Sequence, residues 1–330
     1  MSDKPLLEVI NLSTHFHTQD GIVKAVDGVS YAVNRGETIA LVGESGCGKT
    51  VSALSILRLI PEPPGKIASG QILFDGQDIV TLSKNRMEDI RGDRIAMIFQ
   101  EPLTALDPVL TIGRQITEAL ERHRDMHGAV AMEEAIRLLK LVGIPQPDRR
   151  VKDYPHQFSG GMRQRAMIAL AISCEPELII ADEPTTVVDV TIQAQILELI
   201  RGITERLNTA LILITHNLGI VARYAHRVYV MYAGHIVENG SAMDIYHHPG
   251  HPYTRGLLGS VPRLDEPRKT RLQPIEGQPP DLISPPPGCA FEPRCPHATD
   301  ICRQIFPPVI EVSPGHYVAC RLAVPDRKLS

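Results

Sequence analysis

Residues 38–50 read Thr38-Ile39-Ala40-Leu41-Val42-Gly43-Glu44-Ser45-Gly46-Cys47-Gly48-Lys49-Thr50. The apolar run predicts a buried strand, and the residues from Gly43 onward fit the pattern G-x-x-x-x-G-K-[ST]. Glycines let successive backbone N–H groups turn inward around an anion, and a helix N-terminus behind the loop adds positive charge. We therefore predict a strand, a phosphate-binding loop and a helix in succession, with Lys49 on the β- and γ-phosphates and the Thr50 hydroxyl on Mg²⁺.

Strands and helices alternate along most of the chain beyond this loop. Such alternation is typical of a mostly parallel, buried sheet with helices on its faces. Ahead of the loop, short strands with Asp27-Gly28 as a turn between them predict an antiparallel β edge. A helical pattern occupies about 101–172. The other predicted elements are strands at 178–181, 211–214 and 228–231, and helices at 192–207 and 218–224.

An acidic pair, Asp182-Glu183, directly follows the buried run 178–181. A carboxylate at the C-terminal end of a central parallel strand points into the crevice where ligands bind. We predict that Asp182 holds Mg²⁺ and that Glu183 polarises the attacking water, as a general base or as an orienting group. Alone, the pair could equally cap a helix, but the upstream phosphate loop favours the catalytic role.

Five further sequence features accompany the phosphate loop and the acidic pair. Upstream of the acidic pair, Phe158-Ser159-Gly160-Gly161-Met162 resembles the LSGGQ signature of ABC-type ATPases. Gln100, Asp189 and His216 are similar to the Q-loop glutamine, the D-loop aspartate and the switch histidine of that family. Phe16 stands where the family places the aromatic ring that stacks on adenine.

This resemblance covers about residues 5–240. It implies an α/β fold, namely a P-loop ABC-type nucleotide-binding domain with a parallel core sheet, an antiparallel β subdomain and a helical subdomain at about 101–172. It implies catalytic roles for Glu183, His216 and Gln100, and Mg²⁺ binding through Thr50, Gln100 and Asp182. The implied ATP contacts are Phe16, Gly43, Glu44, Ser45, Gly46, Cys47, Gly48, Lys49 and Thr50.

The signature has its own implied partner. In ABC-type ATPases the phosphate loop of one subunit faces the signature of another. Because Ser159, Gly160 and Gly161 are expected to open a helix, their N–H groups can bind a γ-phosphate held by the partner chain. ATP then joins two nucleotide-binding domains, and hydrolysis releases them.

Some positions depart from the common family pattern, and none of them removes a catalytic group. The departures are Phe158 for Leu, Met162 for Gln, Val187-Val188 for Ala-Leu before Asp189, Asn217 for Asp after His216, and Cys47 inside the phosphate loop. The two valines are expected to stiffen the D-loop.

The composition shifts beyond about residue 245, where prolines mark an extended segment. The stretches at 251–258 and 288–298 resemble tail elements of oligopeptide and dipeptide importer ATPases. We therefore predict an ABC ATP-binding domain over 1–240 and a C-terminal extension of the peptide-importer type over 241–330. Pro252 suits the first position of a helix, which favours a helix start here over a metal site. The histidines of that alternative site are His247, His248 and His251.

The extension contains a group of cysteines, Cys289, Cys295, Cys302 and Cys320. In a reducing cytosol they are not expected to form a disulfide framework. Four thiolates can hold an Fe–S cluster or a tetrahedral Zn²⁺, and buried free thiols are the third possibility. Relatives with this tail are associated with a [4Fe–4S] cluster, so the resemblance favours iron–sulfur. The cluster is expected to crosslink a Pro-rich segment that cannot build its own core.

Composition and charge restrict the class of protein. The net charge of −4 argues against nucleic-acid binding, which usually needs a basic face. The N-terminus starts no signal peptide and the apolar runs are strand-sized, so the chain is expected on the cytoplasmic face of the cell membrane, bound through partners. A 43% apolar composition is ordinary for a globular protein.

The resemblance implies an ATP-hydrolysing subunit of an ABC importer for di- or oligopeptides. The implied partners are a second, related ATPase subunit in a heterodimer, two transmembrane permeases and an extracytoplasmic solute-binding protein. As an alternative, an ATPase subunit of the same kind would power the uptake of nickel chelates or glutathione. An exporter, and a soluble ABC ATPase acting on nucleic acid or the ribosome, are the remoter alternatives.

Overall fold

The computed structural model describes residues 4–185, 190–260 and 275–323, with residues 190 and 191 described by their backbone alone. The strands are β1 Leu7–His17, β2 Ile22–Val33, β3 Thr38–Val42, β4 Gly65–Phe74, β5 Gln77–Asp78, β6 Ile95–Ile98, β7 Leu178–Asp182, β8 Ala210–Thr215, β9 Arg227–Tyr232, β10 His235–Ser241, β11 Ile310–Ser313 and β12 His316–Val318. The helices are α1 Lys49–Ile56, α2 Lys84–Ile90, α3 Pro102–Ala105, α4 Ile112–His123, α5 Gly128–Leu141, α6 Pro147–Arg150, α7 Gly160–Ala171, α8 Val190–Leu207, α9 Leu218–Tyr224, α10 Ala242–His247, α11 Pro252–Gly259 and α12 Asp300–Gln304.

The chain divides into two compact units, each built from separated segments. The first unit comprises Met1–Val33, Thr38–Val80 and Ile214–Ser330, and the second comprises Asn34–Glu37 and Thr81–Leu213. The domain boundaries given by composition and resemblance, at 240/241 and about 101–172, stay predictions.

In the first unit, one sheet is antiparallel throughout, with strand order β2-β1-β4-β5. The predicted turn at Asp27-Gly28 is wrong, because β2 runs unbroken through these residues. Gly28 has a φ of 69°, and a register shift between Leu12 and Thr14 of β1 places an extra residue of β2 there. The pair therefore forms a bulge, and the turn lies earlier, where the Thr18 N–H donates to the Gly21 carbonyl at 2.9 Å.

The other strands of the first unit follow the order β11-β12-β10-β9-β3. β3 is buried along its whole length and runs parallel to β9, with Val42 beside Val230. Strands buried on both faces read as continuous apolar runs, which explains why β3 has the bounds predicted from the sequence. The strand β12 pairs with β10, so β11 and β12 belong to the same sheet as the strand that leads into the phosphate loop.

The second unit combines parallel strands with a group of helices. β7 lies between β6 and β8, and β6 and β7 are parallel with Ile98 beside Ala181. α4, α5 and α7 pack against one another through buried residues such as Leu120, Leu139 and Ile168. The fold is thus mixed α/β with parallel and antiparallel strands, as predicted. None of the described helices is long and apolar enough to cross a membrane.

Candidate active site

The phosphate loop connects β3 to α1, as the sequence predicts. Gly48 has a φ of 103°, and a Cβ at this position would lie 2.2 Å from the Ala25 carbonyl oxygen. Only glycine tolerates both the left-handed backbone and this close approach. Gly46 also has a positive φ, of 80°, but a Cβ there would meet no atom within 4 Å. The middle of the loop therefore faces open space, where a ligand can approach its backbone.

Lys49 is folded along the inside of the loop. Its Nζ donates to the Gly43 carbonyl at 2.8 Å and to the Glu44 carbonyl at 2.9 Å, and the residue is 4% exposed. Cys47 is buried beside it, with its Sγ 3.7 Å from the Lys49 Nζ. Burial raises the pKa of the Cys47 thiol, so it stays neutral and packs like a small apolar side chain. The unusual cysteine therefore adds no charge to the loop.

The other predicted ATP contacts of the first unit lie on separate elements. Thr50 is exposed in the first turn of α1, and Phe16 is half-buried on β1 between Val23 of β2 and Gly65 of β4. His216 is exposed immediately after β8. The residue that follows it, Asn217, caps α9, because its side-chain oxygen accepts from the Gly219 N–H at 3.0 Å. Asn217 thus performs the local role for which aspartate is also suited.

The second unit holds the acidic pair and the Q-loop glutamine. Asp182 ends β7 and is 2% exposed, and Glu183 follows it with a φ of 42°. Gln100 follows β6, the parallel neighbour of β7, so both side chains stand at the same edge of the sheet. The Gln100 Nε2 donates to the Glu183 Oε2 at 3.2 Å. The structure thus joins two of the three predicted catalytic side chains directly.

The signature opens α7 as predicted. Ser159 is the N-cap, and its Oγ accepts from the Met162 N–H at 3.4 Å. Because this bond uses the Met162 backbone, replacing the usual glutamine leaves it intact. Phe158 is 3% exposed, as expected for a large apolar residue in the place of leucine. Gly160 is exposed, and a Cβ at Gly160 would meet nothing within 4 Å, which leaves the start of the helix open to an anion.

The predicted site residues fall into two groups. The phosphate loop, Phe16 and His216 belong to the first unit, whereas Gln100, Asp182, Glu183 and the signature belong to the second. The predicted D-loop residue, Asp189, lies outside the described residues.

The four cysteines of the extension line one apolar cavity of about 390 Å³. All four are free thiols, and Cys289 is close enough to Cys302 for its N–H to donate to the Cys302 carbonyl at 2.7 Å. Burial raises the pKa of Cys289 to about 11, and electrostatic repulsion from the nearby thiols acts in the same direction. These thiols belong to Cys320, Cys302 and Cys295. Among the described residues, no group of three or more His, Cys, Asp or Glu side chains is positioned as ligands of one metal ion.

His251 lines the same cavity and is not part of a histidine cluster. It caps α11, with its Nδ1 accepting from the Tyr253 N–H at 3.0 Å, which assigns the proton to Nε2. Burial lowers the pKa of His251 to about 4, so it is neutral. Its Nε2 has no hydrogen-bond partner among the described residues, and the side chain is almost fully buried. The α11 start at Pro252 agrees with the predicted helix start.

Sequence reasoning missed the contacts of the phosphate loop with the extension. Arg294 donates from both Nη atoms to the Glu44 carboxylate, and the Tyr253 hydroxyl accepts from the Glu44 N–H. The usable signal was the charge of Arg294 in the apolar, proline-containing stretch 288–298. Within that stretch, only the cysteines have a role predicted from the sequence.

Comparison with known protein families agrees with the geometry of both units. A family described as ABC transporter matches residues 26–186, and one described as oligopeptide/dipeptide transporter, C-terminal region, matches residues 237–302.

Among curated relatives, the Bacillus subtilis dipeptide transport ATP-binding protein DppD is 54% identical over 317 residues, covering 96% of this chain and 94% of that protein. The probable peptide ABC transporter ATP-binding protein y4tR of Sinorhizobium fredii is 52% identical over 315 residues, covering 96% and 94%. The B. subtilis oligopeptide transport ATP-binding protein OppD is 50% identical over 321 residues, covering 97% and 90%.

Solved structures share the fold over most of the chain. The dimeric structure of MJ0796, a bacterial ABC transporter cassette, has a TM-score of 0.63 and 25% identity, covering 72% of this chain and 98% of that one. The post-hydrolysis dimer of MJ0796 bound to ADP and Pi has a TM-score of 0.65 and 24% identity, with the same coverage.

Proposed function

The chain belongs to the ABC transporter family as an ATP-binding subunit that carries the oligopeptide/dipeptide transporter C-terminal region, and from this premise we propose that it powers peptide import through partner permeases. The chain is an ATPase, as the family is. The observation that carries the peptide proposal is the match of residues 237–302 to a region named for oligopeptide/dipeptide transporters.

In this proposal, the phosphate loop binds the β- and γ-phosphates and Lys49 supplies the positive charge. Glu183 takes a proton from, or orients, the water whose oxygen attacks the γ-phosphorus. As the new P–O bond forms, the bond from phosphorus to the β,γ-bridging oxygen breaks. ADP leaves with those electrons, and the proton passes to inorganic phosphate. The hydrogen bond from Gln100 holds the Glu183 carboxylate in one orientation. His216 is proposed to contact the transferred phosphoryl group.

Mg²⁺ would be held by Thr50, Gln100 and Asp182. A hydroxyl, an amide oxygen and a carboxylate are the hard oxygen ligands that this cation prefers, so the residue types fit. When bound, the ion supplies charge neutralisation at the β- and γ-phosphate oxygens. Asp182 is buried at the end of a parallel strand, which suits a group that holds a cation.

The signature is proposed to act on the ATP of a second cassette. Ser159, Gly160 and Gly161 present the N-terminus of a twelve-residue helix, and helix N-termini bind anions. The MJ0796 cassette, which shares this fold, has a dimeric structure, and this supports the proposed pairing. We propose a heterodimer with a related ATPase chain and the role of D-loop aspartate for Asp189. Phe16 is proposed to stack on adenine.

The whole transporter would contain this heterodimer, two transmembrane permeases and an extracytoplasmic solute-binding protein. The chain would therefore lie on the cytoplasmic face of the membrane, held by the permeases. The names of several relatives specify dipeptides or oligopeptides. Nickel chelates and glutathione are alternative solutes for a transporter with this ATPase subunit. The permeases and the solute-binding protein determine which solute is transported.

The test is a pull-down of the tagged chain from detergent-solubilised membranes of its host, with mass spectrometry of the partners. We expect two permeases, a second ATPase chain and a solute-binding protein. In parallel, a strain lacking the gene should lose uptake of labelled dipeptide or oligopeptide, and plasmid-borne copies should restore it. Recovery of the chain with ribosomes, or loss of nickel or glutathione uptake alone, would contradict the peptide proposal.

We also propose that Cys289, Cys295, Cys302 and Cys320 hold a [4Fe–4S] cluster. The support is their shared cavity and the orphaned N–H of His251 at its wall, which is a donor suited to sulfide or thiolate. The thiols do not converge as ligands of one metal ion in their present positions, so binding would have to draw them together. When bound, the cluster would supply a crosslink between segments of the extension.

Replacing Cys295 with Ser is expected to lower iron and acid-labile sulfide in the purified chain and to lower its melting temperature by about 4 °C or more. ATP binding should persist, because every predicted ATP contact is unchanged, and it should weaken only as far as loss of the crosslink moves the neighbouring Arg294 away from Glu44. Cys174→Ser is the matched control, since Cys174 is a buried free thiol of the second unit. Iron content and melting temperature that match the wild type in Cys295→Ser would refute the cluster, and zinc in place of iron would favour a Zn²⁺ site.

A further inference from the structure

Glu44, the second residue of the phosphate loop, forms an ion pair with Arg294 of the C-terminal extension. Arg294 donates from Nη1 to Glu44 Oε2 at 2.6 Å and from Nη2 to Glu44 Oε1 at 2.9 Å, across a separation of 250 residues. The Arg294 side chain is 3% exposed and the Glu44 side chain 28%. A bidentate, charge-assisted pair of this kind is among the stronger and more directional interactions in proteins.

Arg294 is itself held in a single arrangement. Its Nε donates to the Glu276 carbonyl at 3.0 Å, Nη2 donates to the Ile275 carbonyl at 3.3 Å, and Nη1 donates to the Tyr232 hydroxyl at 3.3 Å. Together with the two bonds to Glu44, these use all the N–H donors that a guanidinium possesses. The hydrogen bonds to the Glu44 carboxylate raise the pKa of Arg294, so the guanidinium is charged at every physiological pH.

The backbone of Glu44 is fixed as well. Its N–H donates to the Tyr253 hydroxyl at 2.8 Å, and its carbonyl accepts from the Lys49 Nζ at 2.9 Å. Tyr253 is fully buried and packs against Tyr232 and Phe291, with ring centroids 4.6 and 5.4 Å away. Glu44 therefore connects Lys49 to a buried aromatic cluster that Tyr253 and Phe291 of the extension form with Tyr232 of β9.

The extension also lies beside the loop. A small cavity of about 20 Å³ is lined by residues 44–47 together with Pro279, Pro280 and Leu282. The Leu282 carbonyl accepts from the Lys24 N–H at 3.1 Å, which fixes this segment to β2. The extension therefore shares a cavity with the loop and leaves room at Gly46, where a Cβ would meet no atom within 4 Å.

We propose that Arg294 is a positioning residue for nucleotide binding, through which the C-terminal extension sets the ATP affinity of its own chain. This inference rests on the proposed ATP site in the phosphate loop and deepens it. Arg294 acts in two ways: it holds the loop in its anion-receiving shape, and it neutralises a carboxylate that would otherwise repel the triphosphate. Preorganisation of this kind improves affinity by lowering the entropy lost on binding.

The test compares equilibrium ATP binding by the purified full-length chain among Arg294→Met, Arg294→Lys, Glu44→Gln and the double variant Arg294→Met/Glu44→Gln. We expect Arg294→Met to weaken ATP binding by about 10-fold or more, and Arg294→Lys to weaken it less, because lysine keeps the charge but not the fork. The double variant should bind no more weakly than Arg294→Met, since the unpaired Glu44 charge is then absent.

Arg303→Met is the matched control, because Arg303 belongs to the same extension and pairs with Glu292 at 2.7 Å but is 67% exposed. In the assembled complex, Arg294→Met should raise KM for ATP and leave kcat nearly unchanged, since Arg294 does not reach the reacting atoms. The rise in melting temperature on adding ATP should shrink in Arg294→Met and not in Arg303→Met.

A purely structural arginine would behave differently. Its loss would lower the melting temperature without nucleotide but leave ATP affinity and the ATP-induced rise within about threefold of wild type, and that result would overturn the proposal. If Arg294→Met does not fold, Glu44→Gln breaks the pair from its more exposed side without leaving an unpaired carboxylate, so it tests the positioning of the loop alone. We then expect weaker ATP binding than in the wild type, and an affinity within about threefold of the wild type would overturn the positioning role. Failure of the wild-type chain to bind ATP would instead refute the proposed ATP site.

Discussion

Replacing Glu183 with Gln is expected to lower kcat for ATP hydrolysis by about 10²- to 10⁴-fold, the usual contribution of a positioned acid–base group. The amide keeps the size of the side chain and an oxygen that can accept from Gln100, but it cannot take a proton from water. ATP binding should stay within about threefold of wild type, because Glu183 acts on the water and not on the phosphates. Phosphate release by the assembled complex and equilibrium nucleotide binding by the chain measure the two effects.

The matched control is Glu177→Gln, at the other end of the same strand. Glu177 directly precedes β7 and pairs with Arg94 at 2.6 Å and with Arg35, away from the predicted catalytic edge. The control should hydrolyse ATP at nearly the wild-type rate. Comparable kcat values for Glu183→Gln and wild type would remove Glu183 from the mechanism and leave Gln100 without its proposed role.

Replacing Lys49 with Met is expected to weaken ATP binding by about 100-fold or more, since two charge-assisted hydrogen bonds to phosphate are lost. Methionine also leaves the Gly43 and Glu44 carbonyls without the donor that now joins them at 2.8 and 2.9 Å. The loop should therefore lose both its positive charge and the two hydrogen bonds that Lys49 donates within it. Calorimetric titration with ATP and Mg²⁺ measures the affinity. The melting temperature without nucleotide measures how much the two internal hydrogen bonds of Lys49 stabilise the chain.

Lys24→Met is the control for this change. Lys24 belongs to the same unit, is 45% exposed and lies 3.7 Å from Asp27, so its loss should leave ATP binding unchanged. If Lys49→Met binds ATP with a Kd within about threefold of wild type, the phosphate loop is not the nucleotide site of this chain.

Much of the fold could be predicted because buried parallel strands carry a local signal. β3 and the helix α9 have the predicted bounds, and β7 extends one residue further, to Asp182. The turn predicted at Asp27-Gly28 is wrong because a glycine with a positive φ occurs in β-bulges as well as in turns. The choice depends on the register of β1, which no window around Gly28 contains.

The candidate site was predictable to the extent that it consists of contiguous motifs. The loop, the acidic pair and the signature are each encoded in a short segment, and their backbone positions follow from strand, turn and helix. The ion pair between Arg294 and Glu44 was not predictable, because the two residues are 250 positions apart and neither local sequence specifies the other residue. The cysteines show the same limit: spacing along the chain does not report whether thiols converge around a metal.

That separation also affects the order of events during synthesis. The first partner of the pair leaves the ribosome about 12–50 s before the second at ordinary bacterial elongation rates. The nascent chain can complete local helices in that time, but it lacks the arginine and the tyrosine that brace Glu44. Closing so long a segment is among the late, slow steps of folding, because contacts distant in sequence form last. Tight nucleotide capture would then be acquired only by finished chains, so that truncated products compete poorly for ATP.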